Sequence, residues 1–385
     1  MTKLPEIPIA PTELGRRLRT ARESAGMTQS EVADAVGVGR TTLVAIEKGK
    51  RRVTAEELLV FSDTFEVSVS RLLRPEAVHV ELSPSFRKQV RYKKTASDEA
   101  AEALDSLNRL ATAYSEVEAL LGQAQRHEYP NIRYFRRASQ RQQAEDLAME
   151  ARDRLGYGLH PITDLAATLE ERWGFRIFIR GIGSSISGLF AFHPKLGPNV
   201  LLNAKHPSQR RNWTLAHELG HFLVDREGAN VVLVNRQFPS SEQFTDHFAA
   251  AFLMPASGVR RDFHNYCSRT GKFSTRHLIY LANRYQVSPP AFTYRLESLG
   301  LLPNGTYEAL RDREFGRELV ESVLGGPIAS PWTYVPRLRV LVLEALDQDL
   351  ITEGQASELL GMDRVELRDL RLGAGQEVIM DFTEV

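Results

Sequence analysis

The sequence predicts a multi-domain, mainly α protein. It divides into a five-helix unit over residues 1–75, a helical basic connector over 76–142, an α+β unit with a small antiparallel sheet over 143–302, and an acidic, mainly helical C-terminal region over 303–385. Three observations lead there. A chain of 385 residues exceeds one ordinary core, because domains run to about 100–200 residues. Apolar residues recur at helical spacing between glycine and proline turns along most of the chain, and only between Phe175 and Asn203 does the period shorten from 3.6 to 2. Charge balances at 49 Lys and Arg against 49 Asp and Glu, yet basic residues cluster between Arg87 and Arg141 and acidic ones dominate after Leu343.

Composition narrows the class. With 42% hydrophobic and 25% charged residues and no apolar run long enough for a bilayer, the chain reads as soluble and not membrane-bound. The N-terminus lacks a long apolar stretch and a small-residue cleavage site, which argues against a signal peptide. A single cysteine, Cys267, excludes an intramolecular disulfide framework, fits a reducing cytoplasm, and reads as a small buried hydrophobe.

From Thr12 to Leu73 five short helices alternate with turns. In the first, Leu14, Leu18 and Ala21 form one stripe ending at Gly26; Thr28 and Glu31 then make a capping box for a second helix with Val32, Ala33 and Val36 inward. Gly37-Val38-Gly39 turns the chain into a third helix with Leu43 and Ile46 as core candidates, and two more follow around 54–65 and 68–73. Helix, tight glycine turn, helix is the layout of a helix-turn-helix DNA reader. The run M-T-Q-S-E-V-A-D-A-V-G-V-G-R-T-T-L-V-A-I-E-K-G-K-R resembles the phage-repressor (Xre/Cro-like) family of five-helix DNA-binding domains over about sixty residues. The resemblance implies Gln29 on the phosphate side, Arg40, Thr41 and Thr42 at base edges, and Lys48, Lys50 and Arg51 near phosphates, with DNA as partner and a homodimer as the form that grips an operator. The alternative is a docking module for another protein.

The connector carries the basic run Arg87–Lys94, then a helix from about Ala96 to Leu121 whose Leu104, Leu107, Leu110, Tyr114, Val117 and Leu121 form one apolar stripe. That stripe needs a partner, either the protein's own neighbouring elements or a dimer seam. Tyr129-Pro130 ends the helix, and Arg133–Arg137 adds charge with interleaved aromatics.

Helices are expected over Gln143–Leu155 and Pro161–Trp173, then strands over Phe175–Arg180, Ile186–Phe192 and Asn199–Asn203. The next helix, from Ser208 to about Val224, carries W-T-L-A-H-E-L-G-H. Four-residue spacing puts His217 and His221 on one face, where both imidazoles can meet a zinc ion, with Glu218 beside them as general base towards water. A catalytic zinc takes three protein ligands, so one more donor is needed. Glu242, in the first turn of a helix from Ser240 to Pro255 that follows a turn-rich segment, can supply it. Asp246, four residues on, can accept the other N–H of a ligating imidazole. For Glu242 the competing explanation is an acidic first-turn residue favoured by the helix dipole.

These stretches, with I-S-G-L-F, N-V-L-L-N and L-A-N-R-Y-Q-V-S-P-P-A-F-T-Y-R-L, resemble the ImmA/IrrE metallopeptidase family over roughly residues 143–302. The resemblance implies a zincin-like α+β domain and a zinc-dependent endopeptidase that cleaves a helix-turn-helix repressor and so derepresses stress, phage or mobile-element genes. Two departures stand out: Thr245-Asp246 where the family often has Ala-Asn or Ala-Asp, and Phe252 in place of a leucine. Neither touches a proposed ligand. His193, His206, His247, His264 and Tyr266 are candidate donors to a tetrahedral oxyanion, and the sequence does not choose among them. The rival reading is a transcription regulator whose peptidase-like domain serves as sensor or scaffold. Beyond Leu302 a further helix, glycine turn, helix at Ile351–Leu370 is rich in acids and points to packing or protein contact.

Overall fold

Short helices are stable only when their end groups are satisfied, and the N-terminal part of the chain does this with its own side chains. We describe a computed structural model that covers residues 10–65, 67, 69–73, 94–123, 129, 139–184, 186–224, 230–233, 240–311, 317–325 and 336–374. It divides into two units, Met1–His79 and Val80–Val385. The first holds α1 (Pro11–Ser24), α2 (Gln29–Val36), α3 (Arg40–Glu47), α4 (Ala55–Thr64) and α5 (Val69–Leu73). Thr28 Oγ1 accepts from the Glu31 amide at 3.3 Å while the Glu31 carboxylate accepts from the Thr28 amide at 2.7 Å, and Thr54 and Glu57 repeat the box at α4. Gly37 closes α2 at φ +73°, a conformation that a side chain would strain. Leu14, Leu18, Val32, Leu43, Ile46 and Phe61 form the core.

The second unit runs α6 (Lys94–Leu120), α7 (Gln140–Arg154), α8 (Leu165–Trp173), β1 (Arg176–Arg180), β2 (Ile186–His193), β3 (Gly197–Asn203), α9 (Ser208–Val224), β4 (Asn230–Leu233) and α10 (Ser240–Leu253). It continues with α11 (Ala256–Thr270), α12 (Thr275–Arg284), α13 (Pro289–Ser298), α14 (Thr306–Arg311), α15 (Arg317–Leu324), α16 (Pro336–Asp347), α17 (Glu353–Leu360) and α18 (Arg364–Ala374).

The structure departs from the sequence pattern in four places. The sheet is mixed, not antiparallel: its order is β1-β3-β2-β4, with Ile177 and Phe178 of β1 parallel to Val200 and Leu201 of β3. The chain leaves β1, reverses into β2 two positions away, and returns as β3 into the slot between them. The stretch read as turn-rich contains β4, four residues long and too short to show a period. The helix expected from Pro161 begins at Leu165, because Asp164 Oδ1 accepts the Ala167 amide at 3.0 Å and caps it there. Cys267 is half-buried rather than a buried hydrophobe.

The α6 stripe is covered from within the chain. Leu107, Leu110, Tyr114 and Val117 are buried where α6 meets the sheet and α16, and Tyr114 stands edge-on to Phe178 with ring centres 6.0 Å apart. Beneath them Glu118 accepts from Arg176 of β1 at 2.6 Å and from Arg337 of α16, so one buried carboxylate ties three elements together. In the C-terminal helices Arg180 donates to the Leu359 carbonyl at the end of α17, joining that region to the sheet. The basic runs Arg87–Lys93 and Arg133–Arg137 lie outside the described residues. Among the described residues no helix is long and apolar enough to cross a membrane.

Candidate metal centre

The site is assembled where α9 meets α10, and packing rather than charge sets that approach. Phe222 fixes α9 among the rings of Phe175, Phe190, Phe192, Trp173 and Tyr129, the nearest centre being 5.0 Å away. On β2, a Cβ at Gly188 would fall 2.5 Å from Thr214 of α9, so glycine there lets the helix lie against the sheet. At Gly220 a Cβ would stand 2.9 Å from Phe248 and 3.2 Å from Thr245, both on α10. The glycine between the two histidine turns is thus what lets α10 close on α9.

α10 is held from its other end by two buried arginines that the sequence did not single out. Arg152 of α7, fully buried, donates to the carbonyls of Phe252, Gly158 and His160, and Arg295 of α13 donates to the Met254 carbonyl at 2.9 Å while clasping Glu145 at 2.6 and 2.9 Å. Cations at the carbonyl end of a helix oppose its dipole favourably. Burial lowers the Arg152 pKa to about 10, which leaves it charged at neutral pH.

Within this frame the expected ligands converge. His217 Nε2 lies 3.1 Å from His221 Nε2 and 3.3 Å from Glu242 Oε2, and His221 Nε2 lies 3.5 Å from Glu242 Oε1. Two imidazole nitrogens and a carboxylate are the right donors for a small divalent cation, and the spacing agrees. Corners of a tetrahedron with bonds of about 2.0–2.1 Å stand roughly 3.3 Å apart. His217 Nδ1 donates to Asp246 Oδ1 at 3.0 Å, which turns Nε2 toward the other donors, where it can offer a lone pair once its own proton is lost. Thr245 has its hydroxyl 3.2 Å from His217 Nε2 and donates it to the Glu242 carbonyl at 2.9 Å, bracing ligand and helix together.

Electrostatics reinforce the picture. Glu218 is 0% exposed, and among the described residues neither carboxylate oxygen has a hydrogen-bond partner. Burial, with Glu242 adding to it against the pull of His217, raises its pKa to about 8. At His217 burial opposes the charged form, yet the hydrogen bonds to Asp246 and Glu242 outweigh it and lift the pKa to about 9. At Glu242 burial is likewise outweighed, here by the two histidines, and its pKa is held well below the usual carboxylate range. A cation entering at pH 7 must therefore displace a proton from His217. Titration calorimetry in buffers of different ionisation enthalpy is expected to show proton release on metal uptake and affinity rising from pH 7 to 9; heats independent of buffer would contradict this. Asp246→Ala, which removes the brace on His217, is expected to weaken metal affinity about 10–100-fold, read by chelator competition.

Of the candidate oxyanion donors, His193 accepts the Lys195 amide at 3.1 Å, His264 donates to the Arg260 carbonyl at 2.7 Å, and Tyr266 lines a different cavity. His206 is half-buried and His247 is exposed. In the N-terminal unit Arg40, Thr41, Lys48 and Lys50 are exposed and Thr42 is half-buried. Gln29 donates to Glu47 at 2.8 Å, and Glu47 also accepts from Arg22 at 2.6 Å, so the glutamine braces the end of α3. Arg51 is clasped by Glu57 at 2.8 Å.

Comparison with known families agrees with both units. Residues 18–72 match the helix-turn-helix family, and residues 170–297 match the IrrE N-terminal-like domain, a peptidase family, spanning β1 to α13 and the whole metal cluster. The chain joins a helix-turn-helix domain to an IrrE N-terminal-like domain. The helix-turn-helix part is similar to the HTH-type transcriptional regulator ImmR of Bacillus subtilis (strain 168), 37% identical over 65 residues, which is 17% of this chain and 51% of that protein. The chain thus spans about half the length of that curated relative. Solved structures that align along the chain include the apo competence regulator ComR of Streptococcus vestibularis (10% identity, 96% of this chain, 95% of that one, TM-score 0.16). Another is ComR of Streptococcus suis (11%, 95% and 90%, TM-score 0.17). Scores that low assign no shared arrangement.

Proposed function

We propose that the chain is a zinc-dependent endopeptidase that cleaves a repressor-type protein, with its helix-turn-helix domain binding DNA, in bacterial or phage gene control in the cytoplasm. The observation that carries this reading is the tetrahedral spacing of His217, His221 and Glu242 with the unpaired Glu218 carboxylate beside them. When bound, zinc supplies a Lewis acid for the scissile carbonyl and acidifies a water towards neutrality. Glu218 accepts the proton that this water gives up as it attacks the carbonyl carbon. It then hands the proton to the departing amine, returning to its starting state. A divalent charge held by His217, His221 and Glu242 would favour the carboxylate form of Glu218 in spite of its burial, which is the form a base needs. The likeness of the first domain to a transcriptional regulator supports the DNA-binding half of the proposal.

A second reading is favoured by one observation. Glu218 is sealed from solvent, as suits a domain that holds metal as a sensor or scaffold without proteolysis. The two readings separate when zinc-loaded protein is incubated with the helix-turn-helix repressors encoded beside its gene and fragments are mapped by mass spectrometry. One discrete cut, abolished by chelation and restored by zinc, is the expected result. Intact repressor under conditions where zinc is bound would leave the regulator reading. For the DNA-binding half, Arg40→Ala is expected to weaken operator binding by about 1–3 kcal/mol in fluorescence anisotropy with cleavage unchanged. If it alters neither, the domain is a docking module.

A further inference from the structure

A polar cavity of about 320 Å³ opens beside α11 and shares no lining residue with the metal cluster. Arg261, Asp262, Tyr266 and Arg269 line it from α11, with Arg284 from α12 and His160 from the turn after α7. Helical spacing carries Asp262, Tyr266 and Arg269 along one face of α11.

Three guanidiniums here meet one carboxylate. Asp262 is buried and both its oxygens are engaged: Oδ1 accepts from Arg261 Nε at 3.1 Å and Oδ2 from the Tyr285 hydroxyl at 3.0 Å. Arg284 Nε stands 4.0 Å from Oδ2, beyond hydrogen-bond reach, and Arg269 has no ion pair among the described residues. Asp262 is the one carboxylate among the lining residues and is shared by Arg261 and, at longer range, Arg284, so the three guanidiniums leave the wall with two positive charges in excess. Like charges gathered on one cavity repel, and an anion inside relieves that repulsion.

We propose that this cavity binds a small phosphorylated molecule, its phosphate seated between Arg269 and Arg284 and its organic part against the Tyr266 ring. A phosphate dianion brings two negative charges on one group to match the two positive charges in excess, where a single carboxylate brings one, and its oxygens can accept from guanidinium forks on two helices. The volume is at the small end of small-molecule sites and suits a monophosphorylated metabolite. The carbonyl of His160, in the cavity wall, accepts from Arg152, which also holds the end of α10. His160, a lining residue, is thus linked through Arg152 to the end of the helix that carries Glu242 and Asp246.

The test is isothermal titration calorimetry on the full-length protein with adenosine monophosphate, inorganic phosphate, adenosine and succinate. Saturable binding of adenosine monophosphate or phosphate, without adenosine or succinate, is expected. Tighter binding of the nucleotide points to an organic phosphate, and equal binding to free phosphate as the source. Arg269→Gln and Arg284→Gln, both at exposed positions, are each expected to weaken binding at least about tenfold. Asp262→Asn is expected to strengthen it by removing the competing negative charge, and circular dichroism checks the fold of each variant. The proposal is overturned if neither phosphate probe saturates below about 10 mM, if succinate binds as well as phosphate, or if both arginine variants bind like the wild type.

Discussion

Glu218→Gln is expected to keep zinc at full stoichiometry and to reduce repressor cleavage by roughly 10²–10⁴-fold or more, the usual contribution of a positioned acid-base group. Glutamine is isosteric with the protonated carboxyl, so it fits the pocket in which Glu218 is fully buried without a hydrogen-bond partner. It cannot take a proton. The loss should fall on kcat, because Glu218 is no metal ligand and the substitution leaves the donor spacing intact. A variant that cuts as fast as wild type would remove Glu218 from the chemistry. One that loses both zinc and cleavage would mean that the buried acid acts through the metal site's structure.

Glu242→Ala addresses the third ligand. His217 and His221 lie one turn apart on a single helix, so their meeting follows from helical geometry, whereas Glu242 arrives from α10 and completes the donor set only because Gly220 admits that helix. Without the carboxylate two nitrogens remain, and zinc affinity is expected to fall on the order of 100-fold or more, beyond the 10–100-fold typical of outer partners such as Asp246. Chelator competition measures it. Full zinc retention would place the third donor elsewhere. Because the carboxylate also accepts from both histidines, Glu242→Gln provides a companion of the same size that separates lost ligation from lost packing.

How much of this was legible beforehand depends on the range of the interactions. The histidine pair, the capping boxes at Thr28 and the stripe on α6 are local patterns, fixed by 3.6-residue periodicity, and the structure carries them where the sequence puts them. Glu242 was legible because two histidines leave a catalytic zinc one protein donor short, and Asp246 because it stands one turn further along the same helical face. What escaped is non-local. The parallel pairing of β1 with β3 depends on where the chain re-enters the sheet, which no strand's own alternation records. β4 is four residues long. Nothing in the local sequence marks Arg152 and Arg295, and only the folded chain shows them buried against the carbonyls that end α10. The polar cavity on α11 is hidden for the same reason, since Arg284 joins it from another helix.

The central claim is that His217, His221 and Glu242 together hold a catalytic zinc. Anomalous diffraction at the zinc edge, on crystals of the zinc-loaded full-length protein, tests it most directly. One strong peak bonded by both Nε2 atoms and a Glu242 oxygen is expected, with one further position open to solvent. No peak there, or a zinc whose coordination is closed by a fourth protein side chain, would contradict it.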